Sequence, residues 1–217
     1  MSAYTDDKST WPEVLPGFDH VSRMWDARAE RCAAKILPGE YYVTGNDEMI
    51  TTVLGSCVSA CVRDPYTGFG GMNHFMLPGN SKRCADRWGG SDGMAARYGK
   101  AAMEMLINDV LKHGGVKNRL ELKLFGGGQV LVMDVNNVGD RNIEFAREFA
   151  EQAGFIVAAE DMGGEYPRKV NYFPKTGRVM VRRLRALQNK GVAEQERNYR
   201  KLLAHKEKSH EFDLLSA

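Results

Sequence analysis

At 217 residues, 43% of them hydrophobic and 27% charged, the chain is long enough to bury one core, and nothing in its length calls for a second domain. Its 30 Lys and Arg against 28 Asp and Glu leave a formal charge of +2, which gives no bulk electrostatic case for nucleic acid or for an anionic membrane surface. The first residues show no basic start followed by an apolar run, and no stretch approaches the roughly 18 apolar residues of a spanning helix. The expectation is a cytoplasmic protein without direct membrane insertion, its cysteines (Cys32, Cys57, Cys61 and Cys84) reduced.

Residues 1–20 are polar, interrupted by Pro and Gly, and carry no periodicity, so no element is assigned there. From 22 to 36 the run is rich in helix formers and stops at Leu37-Pro38-Gly39, which predicts a helix within an N-terminal extension over 1–37. Tyr41-Tyr42-Val43-Thr44 and Ile50-Thr51-Thr52-Val53-Leu54 read as strands around a Gly45-Asn46-Asp47 turn. A hairpin follows, from Cys57 through the turn residues Asp64-Pro65-Tyr66-Thr67-Gly68 and back along Phe69 to Leu77. Residues 79–93 are polar and Gly-rich, a surface loop with Arg83 and Arg87 beside the hairpin, and Ser91 or Asp92 caps a helix reaching to 113. Leu120 to Phe125 alternates as a strand into Gly126-Gly127-Gly128, 142–153 repeats as a second helix, 155–159 is a strand, and 169–183 folds back on itself around Pro174-Lys175-Thr176-Gly177. Mostly antiparallel strands with two main helices make the class α+β, one domain over 38–184. Over 185–217 lies a charged C-terminal extension, in which 193–210 predicts a solvated helix with Tyr199, Leu202 and Leu203 on one side.

Within the hairpin, pairing Arg63 with Gly68 sets Cys57 opposite His74, on one face with Cβ atoms about 5 Å apart. A slip of one residue would place them on opposite faces. A strand cysteine is usually a small buried hydrophobe, but Gly55-Ser56 before Cys57 lets the backbone turn sharply and aim N–H groups at an oxyanion. An imidazole that takes the thiol proton needs a third group to hold its tautomer, and Thr51, Thr52, Ser56 and Asn73 all stand near enough in sequence. Cys57, Cys61, His74 and Cys84 lack the second close ligand pair of a structural zinc site, so Cys61 is assigned to the core and no metal or other cofactor is expected. The Gly126-Gly127-Gly128 run has no following Gly-Lys-Ser/Thr and reads as a tight backbone passage.

Taken together, Pro38-Gly39-Glu40-Tyr41, Leu54-Gly55-Ser56-Cys57-Val58, Gly70-Gly71-Met72-Asn73-His74-Phe75-Met76-Leu77-Pro78, Lys123-Leu124-Phe125-Gly126-Gly127, Gly139-Asp140-Arg141-Asn142 and Asp161-Met162-Gly163-Gly164 resemble the CheD family of chemoreceptor glutamine deamidases, over roughly residues 38 to 184. The resemblance implies a Cys nucleophile at Cys57, a His base at His74 and a Thr at Thr51 that orients the imidazole. It implies a layered α/β sandwich similar to the cytotoxic-necrotizing-factor deamidases. It also implies a substrate glutamine on the helical cytoplasmic part of chemoreceptors, converted to glutamate through a thioester with release of ammonia. The alternative is an adaptor that binds receptors or a CheC-like phosphatase.

Overall fold

Strand-forming runs dominate the chain, and in the computed structural model, which describes residues 11–77, 94–130, 137–184, 191–203 and 205, they form ten strands in two five-stranded sheets. The first sheet orders β1 (Ser22–Asp26), β2 (Arg31–Lys35), β4 (Met49–Leu54), β9 (Arg168–Phe173) and β10 (Arg178–Arg183). The second orders β3 (Tyr41–Thr44), β6 (Gly70–Asn73), β5 (Val58–Arg63), β7 (Glu121–Gly126) and β8 (Val157–Met162). Pairing is antiparallel except between β2 and β4 and between β7 and β8. Helix α1 (Met94–Lys112) packs on β3, β5 and β6, and α2 (Val138–Gln152) on β5 and β7. A third helix, α3, covers 191–203. One buried cluster runs from Ile50, Leu54 and Tyr172 of the first sheet through Val58 and Leu124 of the second to Met103 and Ala146 of the helices, so the class is α+β as the sequence predicts.

The helix expected over 22–36 is instead the β1–β2 hairpin. The Asp26 carboxylate accepts the N–H groups of Arg28 (3.0 Å) and Ala29 (2.9 Å), and Glu30 turns the chain at φ 51°. β2 then pairs with β4 and buries Ala33 and Ala34. Helix propensity differs by only a few tenths of a kcal/mol per residue, so burial against a sheet decides the outcome. Residues 22–35 are thus part of the first sheet. Cys84, Arg83, Arg87 and the caps at Ser91 and Asp92 lie outside the described residues.

The central hairpin forms, but in a different register. Arg63 pairs with Gly70, Cys61 with Met72, and a further bridge joins Val58 to Phe75. Asp64 is the cause. Its buried carboxylate accepts the N–H groups of Tyr66, Thr67 and Val116 and the Arg119 guanidinium, and Asp64 N–H donates to Phe69 O, so the loop takes up two residues more than a short turn would. Burial opposes its ionisation, yet Arg119 and the three backbone donors outweigh that and hold the carboxyl at about 2. Extended to the strand ends, this register sets Met76 opposite Cys57 and Ser59 opposite His74. A shift of two preserves side-chain alternation, so Cys57 and His74 keep one face and become diagonal neighbours, roughly 7 Å apart between Cβ atoms rather than directly opposed.

Candidate active site

The turn from β4 to β5 is Gly55-Ser56-Cys57, and its three peptide units are sorted by direction. Their carbonyls are pinned to the scaffold: Gly128 N–H donates to Gly55 O (2.7 Å), Asn142 Nδ2 to Ser56 O (2.8 Å) and Gly127 N–H to Cys57 O (2.7 Å). Asn142 is itself fixed, accepting Leu77 N–H at its Oδ1 (2.9 Å). The glycine run after β7 permits this approach, since Gly126 (φ 116°) and Gly127 (φ 68°) are left-handed and a Cβ on Gly126 would collide with Cys57 O. With the carbonyls held away, the three N–H groups converge on the opposite side, a concave nest built for negative charge.

The nest is filled by a carboxylate. Glu196 of α3 accepts Gly55 N–H (3.0 Å) and Cys57 N–H (3.1 Å) at Oε1, and Ser56 N–H (3.0 Å) and the Ser56 hydroxyl (2.8 Å) at Oε2. Burial pushes the Cys57 thiol well above its ordinary value, and the charge of Glu196 and its hydrogen bond with the thiol push the same way, against Arg200. In this arrangement the sulfur is a protonated thiol.

His74 reaches from the end of β6 toward the first sheet, where its Nδ1 lies 2.8 Å from Thr52 Oγ1. The same hydroxyl donates its one proton to Ile36 O (2.8 Å), so it accepts from Nδ1–H. That assigns the tautomer and leaves the Nε2 lone pair free, buried and without a hydrogen-bond partner among the described residues. Thr51, named by the family resemblance as the orienting residue, faces away from the imidazole and donates to Asn171 Oδ1 (2.7 Å). Neighbouring residues on a strand point to opposite faces, and on β4 it is Ile50, Thr52 and Leu54 that face the second sheet. Asn73 is not at the imidazole either, since it bonds Ala60 N–H and Ala102 O. Thr52→Val should lower kcat by on the order of 10- to 100-fold by orphaning Nδ1–H, with Thr52→Ser restoring most of it. Thr51→Val should leave kcat unchanged; equal losses in the two valine variants would reverse the assignment.

Burial lowers His74 to about 3, so the folded protein holds it neutral. The unfolded chain binds that proton near pH 6.5. Stability from this group is therefore complete above about pH 6.5 and declines as pH falls toward about 3. Denaturation midpoints should drop between about pH 6.5 and 5, above the carboxylate range, and a His74→Gln variant should flatten that part of the curve. A wild-type midpoint flat across this interval would refute it.

Of the residues at this site, Cys57, His74 and the hydroxyl of Ser56 are within reach of motif reading, Asn142 stands in the Gly139-Asp140-Arg141-Asn142 motif without a role assigned to it, and Glu196 lies in no motif. The signal for Glu196 is a helical stripe: Val192, Ala193, Glu196 and Leu203 are buried while Glu194, Gln195, Arg197 and Leu202 are exposed. The expected solvated helix is thus docked, with Leu202 on its outer side.

The sequence model of the CheD family, described as CheD chemotactic sensory transduction, matches residues 76–183. A protein of Hahella chejuensis named "Probable chemoreceptor glutamine deamidase CheD" is 50% identical over 208 residues, 94% of each chain. Proteins of the same name from Halorhodospira halophila and Saccharophagus degradans are 50% and 47% identical, over 92% and 93% of each chain.

Proposed function

The chain belongs to the CheD family, and from that premise we propose that it hydrolyses the side-chain amide of chemoreceptor glutamines through a thioester at Cys57. The observation that carries the reading is the convergence of the Gly55, Ser56 and Cys57 N–H groups on the two oxygens of one carboxylate at the Cys57 turn. With the substrate carboxamide oxygen where Glu196 Oε1 now lies, the Gly55 and Cys57 N–H groups meet the oxygen that becomes anionic, and Ser56 faces the position of Oε2. His74 Nε2 takes the thiol proton and the sulfur attacks the amide carbon. The C–N bond then breaks as His74 returns the proton to the leaving nitrogen, giving ammonia and a thioester. Water, deprotonated by the same Nε2, attacks the thioester and releases glutamate and the thiol. Thr52 holds the ring in the tautomer that this sequence of transfers requires.

On this reading the layered fold is similar to that of the cytotoxic-necrotizing-factor deamidases, Cys57 just before β5 and His74 just after β6 act as nucleophile and base, and the setting is the cytoplasm, where the helical receptor domains lie. Among the described residues no helix is long and apolar enough to cross a membrane. An adaptor role toward receptors or a CheC-like phosphatase would leave the nest, the buried base and Thr52 without a use. The test is incubation with chemoreceptor cytoplasmic fragments and peptide mass spectrometry of glutamine-to-glutamate conversion, with Cys57→Ala alongside. Conversion by the wild type alone supports the reading; binding without conversion overturns it in favour of the adaptor.

A further inference from the structure

Helix α3 lies on the catalytic turn along one stripe. Glu196 enters the nest, Tyr199 meets the Tyr98 hydroxyl with its own, and Leu203 joins the main core cluster. Two glycines make the room. A Cβ on Gly55 would lie 2.7 Å from Glu196 Oε1, and one on Gly39 would lie 2.5 Å from the Tyr199 hydroxyl. The fit is chemically selective as well as steric, because every group that meets the Glu196 oxygens is a donor. A carboxylate satisfies all four donors with its two oxygens. A carboxamide keeps the Gly55 and Cys57 N–H groups at its oxygen and turns its NH2 to the Ser56 hydroxyl, which can accept, so the nest admits the amide and holds the acid more tightly. The residue held at the nucleophile therefore has the form of the reaction's product, a glutamate presented from a helix.

The seating is not sealed throughout. Beneath the first turn of α3 an open crevice of about 360 Å³ separates Gly191, Val192 and Gln195 from Val53, Lys169 and Arg182 of the first sheet. The named contacts of α3 run along one stripe from Glu196 through Tyr199 to Leu203.

We propose that the groove under α3 is the docking surface for the substrate helix, and that α3 is its internal occupant, with Glu196 standing where the product glutamate of a receptor helix stands. The inference rests on the deamidase reading and adds to it both a substrate form and a control. The substrate is a helix whose glutamine is preceded by small or aliphatic residues three and four positions back, as Val192 and Ala193 precede Glu196, with a side chain three positions on that can face Tyr98 and an aliphatic residue seven on. Receptor and α3 compete for one groove, so the rate on receptors is reduced by the fraction of molecules in which α3 is docked.

The test uses the full chain. In a Glu196→Gln variant the protein carries its own substrate. Cys57 Sγ attacks the amide carbon introduced at position 196, ammonia leaves with the proton from His74, and water cleaves the thioester to restore Glu196 and the thiol. Peptide mass spectrometry should show the introduced amide becoming glutamate at a rate independent of protein concentration, while the exposed neighbour Gln195 stays an amide and the double variant with Cys57→Ala does not convert. In parallel, Glu196→Ala should raise kcat/KM on receptor fragments about tenfold or more through the larger open fraction. If receptor fragments are converted but the Glu196→Gln variant keeps its amide and Glu196→Ala is no faster, the inference fails and the deamidase reading stands. If no variant converts either receptor glutamines or the introduced amide, the deamidase reading itself fails. Conversion of the introduced amide with inert receptors keeps the groove assignment and removes the receptor as its substrate.

Discussion

Cys57→Ala is expected to reduce glutamine conversion on receptor fragments to background, a loss of at least about 10⁴-fold in kcat, because nucleophile, base and oxyanion donors act as one unit and removing the attacking atom leaves the others nothing to assist. The fold should survive. The turn is held through backbone groups, with Gly127, Gly128 and Asn142 bonding its carbonyls, and none of these contacts uses the sulfur. Loss of one buried sulfur atom costs on the order of 1 kcal/mol in packing, and it also removes a thiol that burial and Glu196 hold protonated. The denaturation midpoint should therefore move little while turnover disappears. Cys57→Ser keeps the shape but substitutes a hydroxyl that His74 deprotonates far less readily, so it too should be nearly inactive. Substantial conversion by folded Cys57→Ala would move the nucleophile elsewhere, and Cys61 is poorly placed to take over, fully buried between the sheets with its thiol also raised by burial.

Local signals and tertiary ones separate cleanly along this chain. Strands β3, β4, β7, β9 and β10 and both main helices are legible because alternation, apolar repeats and turn residues are written within a dozen positions of each other. The proposed catalytic pair is legible for the same reason: Cys57 directly precedes β5 and His74 directly follows β6, the two strands of one hairpin. Where sequence reading errs, the deciding contact is remote or one atom wide. Asp64 alone lengthens the hairpin loop, and half of its partners, Val116 and Arg119, come from beyond α1. The choice between Thr51 and Thr52 depends on which face of β4 the second sheet covers, a property that two adjacent threonines do not reveal. Glu196 lies 139 to 141 residues from the amides it meets, and in isolation it is one more charged position on an expected surface helix. A buried acid among exposed neighbours at helical spacing is visible only once burial is known.

Arg168→Met should have the largest effect on stability, a loss of about 3 to 5 kcal/mol, and it should reach the catalytic turn. The guanidinium is fully buried. It donates to Gly126 O at 3.0 Å and to the carbonyls of Asp161 and Gly163, pairs with the Asp161 carboxylate at 3.1 Å, and sits over the Tyr166 ring at 5.1 Å. Burial works against its charge, while Asp161 and Tyr166 favour it. Methionine fills most of the volume but leaves three carbonyls without that donor, and a group stranded in a core costs more than its hydrogen bond contributes. Gly126 also begins the glycine passage whose next two amides bond Cys57 O and Gly55 O. Gly126 O keeps the Gly163 N–H (2.8 Å) but loses the guanidinium, which loosens the backing of the nest as well as the β7–β8–β9 junction. Amide hydrogen exchange should rise at Gly127 and Gly128, and kcat of the folded fraction should fall with it, since oxyanion donors act only when held in place. A stable Arg168→Met protein with wild-type exchange at those two glycines would show that the nest is supported from the α2 side alone, through Asn142.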